Sequence, residues 1–390
     1  MEDLLYFSYN DKSSILLIFF FNALVFSSLL LIHGIKENEQ SSKWLSLFIF
    51  LGGLYLGPFL FGYANWYAKQ SYKEFLLFTP LQQLFLMGPV LYFYIKSLVD
   101  SDFKLSKTDY WHFVPAGLYL IYSLIVFVTD KLILDEFYFY AVERDKDLVF
   151  WYQISGLVSM LVYLVLSLGE HSRFRKRIVN EVSYADTLVL RWIRLFLIAF
   201  STILILRVLF FILNPERGEF GRKYWYYLCF AILYFFMALA GYTHAIKSSL
   251  RTTLHYRKSF AEENVEETAS NSLLSETELV AWKTKILSFV IDNKGYANPG
   301  LTLTDVASNL QTNRNVISQV INQGFQMNFN DFINAKRVEA VIAKFEKGEQ
   351  YQKTLLGIAL ECGFNSKPTF NRAFKKHTDR TPKQFLSSLG

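Results

Sequence analysis

The chain has 390 residues, 52% of them hydrophobic, with a formal net charge of +6, which is length enough for two or three domains. Most of the 38 Phe and 24 Tyr precede residue 250 and the charges gather behind it, which excludes one uniform globular core. Cys229 and Cys362 stand far apart without CxxC or Cys/His ligand spacing, so a disulfide framework and a zinc site are not expected, nor is any other metal or cofactor.

Seven stretches, about 13–35, 44–63, 75–99, 111–129, 149–168, 190–213 and 224–246, are apolar over the roughly 20 helical residues that a hydrocarbon core of about 30 Å demands. Glu2, Asp3 and Asp11 accompany the first in place of a basic cluster, and its apolar run is too long for a signal peptide. With the N-terminus outside, the inner segments hold thirteen Lys and Arg against nine on the outer side. Arg173, Arg175, Lys176 and Arg177 supply most of that margin. An odd number of spans then leaves the C-terminus in the cytoplasm, with the spans in the inner (cytoplasmic) membrane.

Within the spans, Gln82, Gln83 and Gln153 are placed to hydrogen-bond between helices, and Pro58, Pro80, Pro89 and Pro115 to kink them. Arg207 falls about two turns from the outer end of the sixth span, where snorkelling to the interface is the expected solution to its charge. The longest outer loop, Asp130–Asp147, carries six acids against three bases and reads as solvated, with cation attraction the alternative. No outer loop is long enough for a separate sensor domain. The seventh span holds no internal lysine for a Schiff base, since Lys247 lies at its end, and the adjacent Glu170 and His171 are weak grounds for a membrane enzyme.

Residues 247–258 are basic and suited to anionic lipid headgroups, and Glu262, Glu263, Glu266 and Glu267 follow in a polar linker. From Ser275, a capping box with Glu278 opens a helix with Leu279, Trp282, Ile286, Phe289 and Val290 buried, ended by Gly295 and Asn298-Pro299-Gly300. Two helix-turn-helix patterns come next. In the first, Thr304–Leu310 leads through a short turn into Asn313–Gln323, with Val316, Ile317, Val320 and Ile321 inward and Asn315, Ser318, Gln319 and Asn322 outward. A long amphipathic helix over Phe329–Phe345 separates it from the second, which runs from Leu355 through Cys362-Gly363-Phe364-Asn365 to a helix N-capped by Ser366. There Phe370, Ala373 and Phe374 face inward, leaving Lys367, Thr369, Asn371, Arg372, Lys375 and Lys376 outward. Ile317 and Phe370 are 53 residues apart across a rigid helix. Two such helices about 34 Å apart would enter successive major grooves on one face of a duplex. Residues 301–390 carry twelve bases against seven acids, which favours phosphate contact without specifying a sequence.

The ordered residues Ile358-Ala359, Gly363-Phe364-Asn365-Ser366, Phe370-Asn371-Arg372-Ala373-Phe374-Lys375-Lys376 and Thr381-Pro382 resemble the C-terminal signature of AraC-type transcription regulators. Ile317–Asn322 and Asn328–Val338 match as well, and the resemblance covers roughly residues 275–390. It implies base contacts from Asn315, Ser318 and Gln319 in the first unit and from Lys367, Thr369, Asn371 and Arg372 in the second. Arg314, Lys375, Lys376 and Lys383 are phosphate-contact candidates. Three positions depart from the pattern. Gln326 and Asp379-Arg380 stand where glycines are usual, which leaves the first turn open to another geometry, and Pro368 offers an apolar ring in place of a donor. The apolar half resembles the multi-span sensor portion of membrane-bound bacterial AraC-type regulators by architecture.

The expectation is an all-α chain with a seven-helix transmembrane bundle at 1–246, a juxtamembrane segment and linker at 247–274, and a cytoplasmic two-unit DNA-binding domain at 275–390. Its partners would be double-stranded DNA, the lipid bilayer, an unknown ligand or membrane partner, and a second protomer in a homodimer. No catalytic role is expected. The alternative is a seven-span receptor, transporter or enzyme whose C-terminal domain binds protein.

Overall fold

A computed structural model describes residues 7–100, 103–141, 145–183, 188–213, 223–252 and 275–387. Among those residues every regular element is a helix, and one isolated antiparallel bridge joins Val182 and Thr302. Two compact units emerge: Met1–His171 with Trp192–Arg251, and Ser172–Arg191 with Thr252–Gly390. The linker acids Glu262, Glu263, Glu266 and Glu267, and the basic residues beyond Thr252, lie outside the described residues.

The first unit is built from α1 (Asp11–Lys36), α2 (Gln40–Tyr63), α3 (Gln70–Phe78), α4 (Leu84–Val99), α5 (Val114–Phe127), α6 (Phe150–Glu181), α7 (Leu188–Leu213) and α8 (Tyr224–Thr252), with the last turns of α6 and the first of α7 belonging to the second unit. Among the described residues, six helical stretches, not the seven expected, are long and apolar enough to cross a membrane by length and composition. One of them, Asp109–Ile133, includes α5 with the helical turns that flank it, and Leu84–Val99 is apolar but shorter. Their outward faces are apolar as well, with Ile18, Phe21, Leu118, Val165, Ile198 and Phe236 exposed. Such a surface suits lipid rather than water. Small residues let α1 and α2 approach closely. Ser27 Oγ donates to the Ser46 carbonyl at 3.0 Å, Ser46 Oγ to that of Ser27 at 2.7 Å, and a Cβ on Gly53 would sit 3.0 Å from that of Ala23.

Three expectations change here. The third stretch, 75–99, is two helices, α3 and the 16-residue α4, broken over Thr79–Gln83 where Pro80 interrupts the ladder. Side chains replace the lost backbone bonds: the Gln82 amide donates to Asp147 Oδ2 at 2.9 Å, and the Leu84 amide to the Tyr152 hydroxyl at 3.1 Å. Arg207 does not snorkel. It is 2% exposed, its Nη2 donates to the Gln153 carbonyl at 3.0 Å and to Gln153 Oε1 at 2.8 Å, and its guanidinium lies over the Tyr55 ring. Interior acceptors make the route to the interface unnecessary.

The Asp130–Asp147 loop is not simply solvated either. Asp130, Asp145, Lys146 and Asp147 are buried. Asp145 accepts from the Tyr67 hydroxyl at 3.1 Å, Asp147 from the Tyr119 hydroxyl, and Lys146 Nζ donates to the Leu77 carbonyl at 2.7 Å. Burial, reinforced by the Asp147 carboxylate, pushes the Asp145 carboxyl up to about 7.

The second unit adds α9 (Glu276–Leu287), α10 (Leu303–Asn309), α11 (Arg314–Gln319), α12 (Phe329–Glu346), α13 (Leu355–Glu361), α14 (Lys367–Thr378) and α15 (Pro382–Leu386). Each begins at a residue whose side chain takes an otherwise orphaned amide: Ser275, Thr302, Asn313, Asn328, Thr354, Ser366 and Thr381. α12 serves two cores. Its Phe329, Phe332 and Ile333 pack with Val306, Ile317, Val320 and Ile321, while Val338, Val341 and Phe345 pack with Ile358, Phe364, Phe370 and Phe374. Cys362 is buried in the second core, which pushes its thiol up to about 11 and leaves it a packing group.

Candidate nucleic-acid interface

The first helix-turn-helix comprises α10, the turn Leu310–Asn313 and α11, which continues through a π-helical turn over Val320–Gly324. Ile317 is fully buried, Asn315 exposed, and Ser318 and Gln319 half-buried. Asn322 Nδ2 donates to Ser318 Oγ at 3.3 Å, so these neutral side chains form one polar face on α11 and the turn that extends it. Arg314 is half-buried at the start of the same helix.

In the second helix-turn-helix, α14 buries Phe370, Ala373 and Phe374 and exposes Lys367, Pro368, Asn371, Arg372, Lys375 and Lys376; Lys383 is exposed on α15. Thr369 is half-buried and tied into the helix start, since its amide bonds Ser366 Oγ at 3.4 Å and the two hydroxyls are 2.9 Å apart. Lys376 Nζ pairs with Asp331 of α12 at 2.6 Å. Burial lowers the His377 imidazole, which keeps it neutral at pH 7. The second helix of each helix-turn-helix thus presents a polar or basic face opposite an apolar one.

Two turns show how the sequence departs from the glycine pattern without losing the geometry. Gln326 takes φ 53° and Asp379 takes φ 55°, so both adopt the left-handed conformation that glycine would adopt freely. Gly363, at φ 89°, is indispensable for a second reason: a Cβ there would overlap the Tyr296 carbonyl oxygen. Asn365 Nδ2 also reaches the Pro299 carbonyl at 2.9 Å. The strap from Gly295 to Pro299 therefore holds the turn of the second helix-turn-helix.

Arg337 of α12 completes this joint, and nothing in the sequence periodicity marks it. It is 1% exposed, and its Nε donates to the Tyr296 carbonyl at 2.9 Å. Nη1 donates to the Ser183 carbonyl at 3.3 Å and to Asn334 Oδ1 at 3.2 Å. Nη2 donates to the Asn298 carbonyl at 2.8 Å and to Ser183 Oγ at 3.0 Å. An arginine has five N–H donors, and here five neutral acceptors meet them. Burial lowers this guanidinium to about 10, still protonated at neutral pH.

The α6–α7 connection adds residues that sequence reasoning missed. The Ser183 amide donates to the Leu301 carbonyl at 3.1 Å, and Asn330 Nδ2 to the Val182 carbonyl at 3.3 Å. Beside this contact lies a cleft of about 270 Å³. It is lined by Arg175 and Val179 of α6, Leu190 of α7, Asn330, Asp331 and Asn334 of α12, and Thr369, Arg372 and Lys376 of α14. Among the described residues, no group of three His, Cys, Asp or Glu is placed to hold a metal ion.

Residues 306–388 match the family model described as a helix-turn-helix domain. The melibiose operon regulatory protein of Escherichia coli (strain K12) is 30% identical over 101 residues, which is 26% of this chain and 32% of that protein. The protein of the same name from Escherichia coli O6:H1 (strain CFT073) matches to the same extent. The chain thus spans about a third of the length of these curated relatives. No solved structure matches. The C-terminal domain is a helix-turn-helix domain of the AraC type.

Proposed function

We propose that this chain is a membrane-embedded, sequence-specific DNA-binding transcriptional regulator that couples a signal at the membrane to promoter binding. The observation that carries the reading is the pair of helix-turn-helix units sharing α12, each with its apolar side in a core and its polar side outward. Asn315, Ser318, Gln319, Lys367, Thr369, Asn371 and Arg372 then read base edges, while Arg314, Lys375, Lys376 and Lys383 meet phosphates. The apolar helices anchor the protein in the cytoplasmic membrane with the C-terminal domain on the inner side. The signal acts on the helix bundle or its short loops, alone or through pairing of two protomers.

The test is genome-wide crosslinking of the full-length protein beside Arg372→Ala. Discrete promoter peaks lost in the variant support the reading, and specific affinity should fall by about 1–3 kcal/mol at the isolated site. Affinity should also drop steeply with salt, because cationic contacts displace counterions from the duplex. Equal binding of operator and scrambled DNA, or salt-insensitive binding, counts against it.

A further inference from the structure

The α6–α7 connecting segment Ser172–Arg191 comprises the last turns of α6, the first of α7 and the residues between them, yet it belongs to the same compact unit as the C-terminal domain. Its attachment is specific. Val182 is 1% and Ser183 0% exposed, and the segment pairs through Val182 with Thr302 as a short antiparallel bridge. Two of the five bonds made by Arg337 end on Ser183. A buried guanidinium is tolerated only when its donors are met, so removing Ser183 leaves two donors that water must enter to satisfy. The donors of Arg337 are therefore all met only while the segment is in place.

The same segment shares a cleft with α14: Arg175 and Val179 line, together with Thr369 and Arg372, the space of about 270 Å³. A recognition helix with its side chains is about 10–12 Å across and fills a major groove about 12 Å wide. Nothing else fits between its reading face and the base edges.

We propose that the α6–α7 connecting segment is an intramolecular partner of the second helix-turn-helix, clasped by Arg337 through Ser183, and that it competes with DNA for the Thr369–Arg372 face of α14. This rests on the DNA-binding reading above and adds its regulation. Because the segment is the chain between two candidate spans, a shift of α6 against α7 pulls on Ser183 directly. A ligand that moves these helices would thereby change promoter affinity without touching the DNA-binding domain. Linkage makes the effect reciprocal, so DNA must weaken the docking by the factor by which docking weakens DNA.

The experiment uses the full chain in phosphatidylglycerol-containing nanodiscs and a promoter fragment recovered by crosslinking. Val182→Asp places a charge in the buried bridge and opens the clasp, while Ser183→Ala removes one Arg337 bond and weakens it. An open state populated at about 10% or less predicts a gain in DNA affinity of tenfold or more for Val182→Asp. Ser183→Ala should give a smaller gain. Hydrogen exchange on the native chain needs no variant: the Ser183 amide should lose protection when the promoter fragment binds. Native binding with no gain in a folded Val182→Asp protein, or a Ser183 amide still protected in the DNA complex, overturns the proposal alone. No DNA binding by either the native chain or a folded Val182→Asp protein overturns the DNA-binding reading and the proposal together.

Discussion

Gly363→Ala is the substitution whose cost follows most directly from the structure. Gly363 sits at φ 89°, where an L side chain is strained by about 1–2 kcal/mol. Its new Cβ would also stand 3.0 Å from the Ala297 Cα and overlap the Tyr296 carbonyl, which is backbone and has no rotamer to change. Moving that carbonyl disturbs its 2.9 Å bond from Arg337 Nε, a charged hydrogen bond of about 1.5–3 kcal/mol. Alanine restricts the unfolded chain and returns about 0.4–1 kcal/mol. The net expectation is a loss of about 3 kcal/mol, confined to the second unit. Pulse proteolysis across a urea series, reading the C-terminal domain of the full-length protein with a terminal tag, measures it. A loss below about 1 kcal/mol would show that the Tyr296 strap yields easily and would refute the rigid joint described here.

Gln326→Gly relieves left-handed strain at a position where the side chain is exposed, against the entropy glycine adds to the unfolded chain. A stabilisation of about 0.5–1 kcal/mol is expected in the same assay, and destabilisation would show that the glutamine side chain contributes a contact. The loop carboxyl of Asp145 gives a pH dependence. Its folded value of about 7 lies above the ordinary 3.8, so the native state holds the proton more tightly than the unfolded chain. Stability from this group is therefore present at low pH, falls as pH rises through that window, and is gone above about 7. Asp145→Asn should raise the unfolding temperature of the detergent-solubilised protein at pH 8 while flattening its change towards pH 5.5, an effect on the order of 2 kcal/mol. An unaltered pH slope would locate the titration elsewhere.

Much of this protein is legible without coordinates because much of it is local. A cap acts across two or three residues, and Ser275 and Ser366 could be read from their neighbours. Hydropathy placed six of the seven expected stretches on long apolar helices, since a span is a property of about 20 consecutive residues, but not the 75–99 stretch that breaks at Pro80. The two helix-turn-helix units followed from apolar spacing, whereas the left-handed φ at Gln326, where the sequence left the turn open to another geometry, came only from the structure.

What the sequence could not determine depends on distant partners. Arg207 looked like a snorkelling charge, because its acceptors on Gln153 come from 54 residues away. Pro80 could be read as a kink, but the bonds that stabilise the break come from Asp147 and Tyr152. Arg337 reads as one residue of a helical motif, yet its role is set by the Tyr296 strap 41 residues before it and by Ser183, 154 residues before it. Helices and caps are fixed by interactions within a turn, so the sequence determined them. Where a buried charge finds its acceptors, and which loop lies against a recognition helix, depends on residues that only folding brings together.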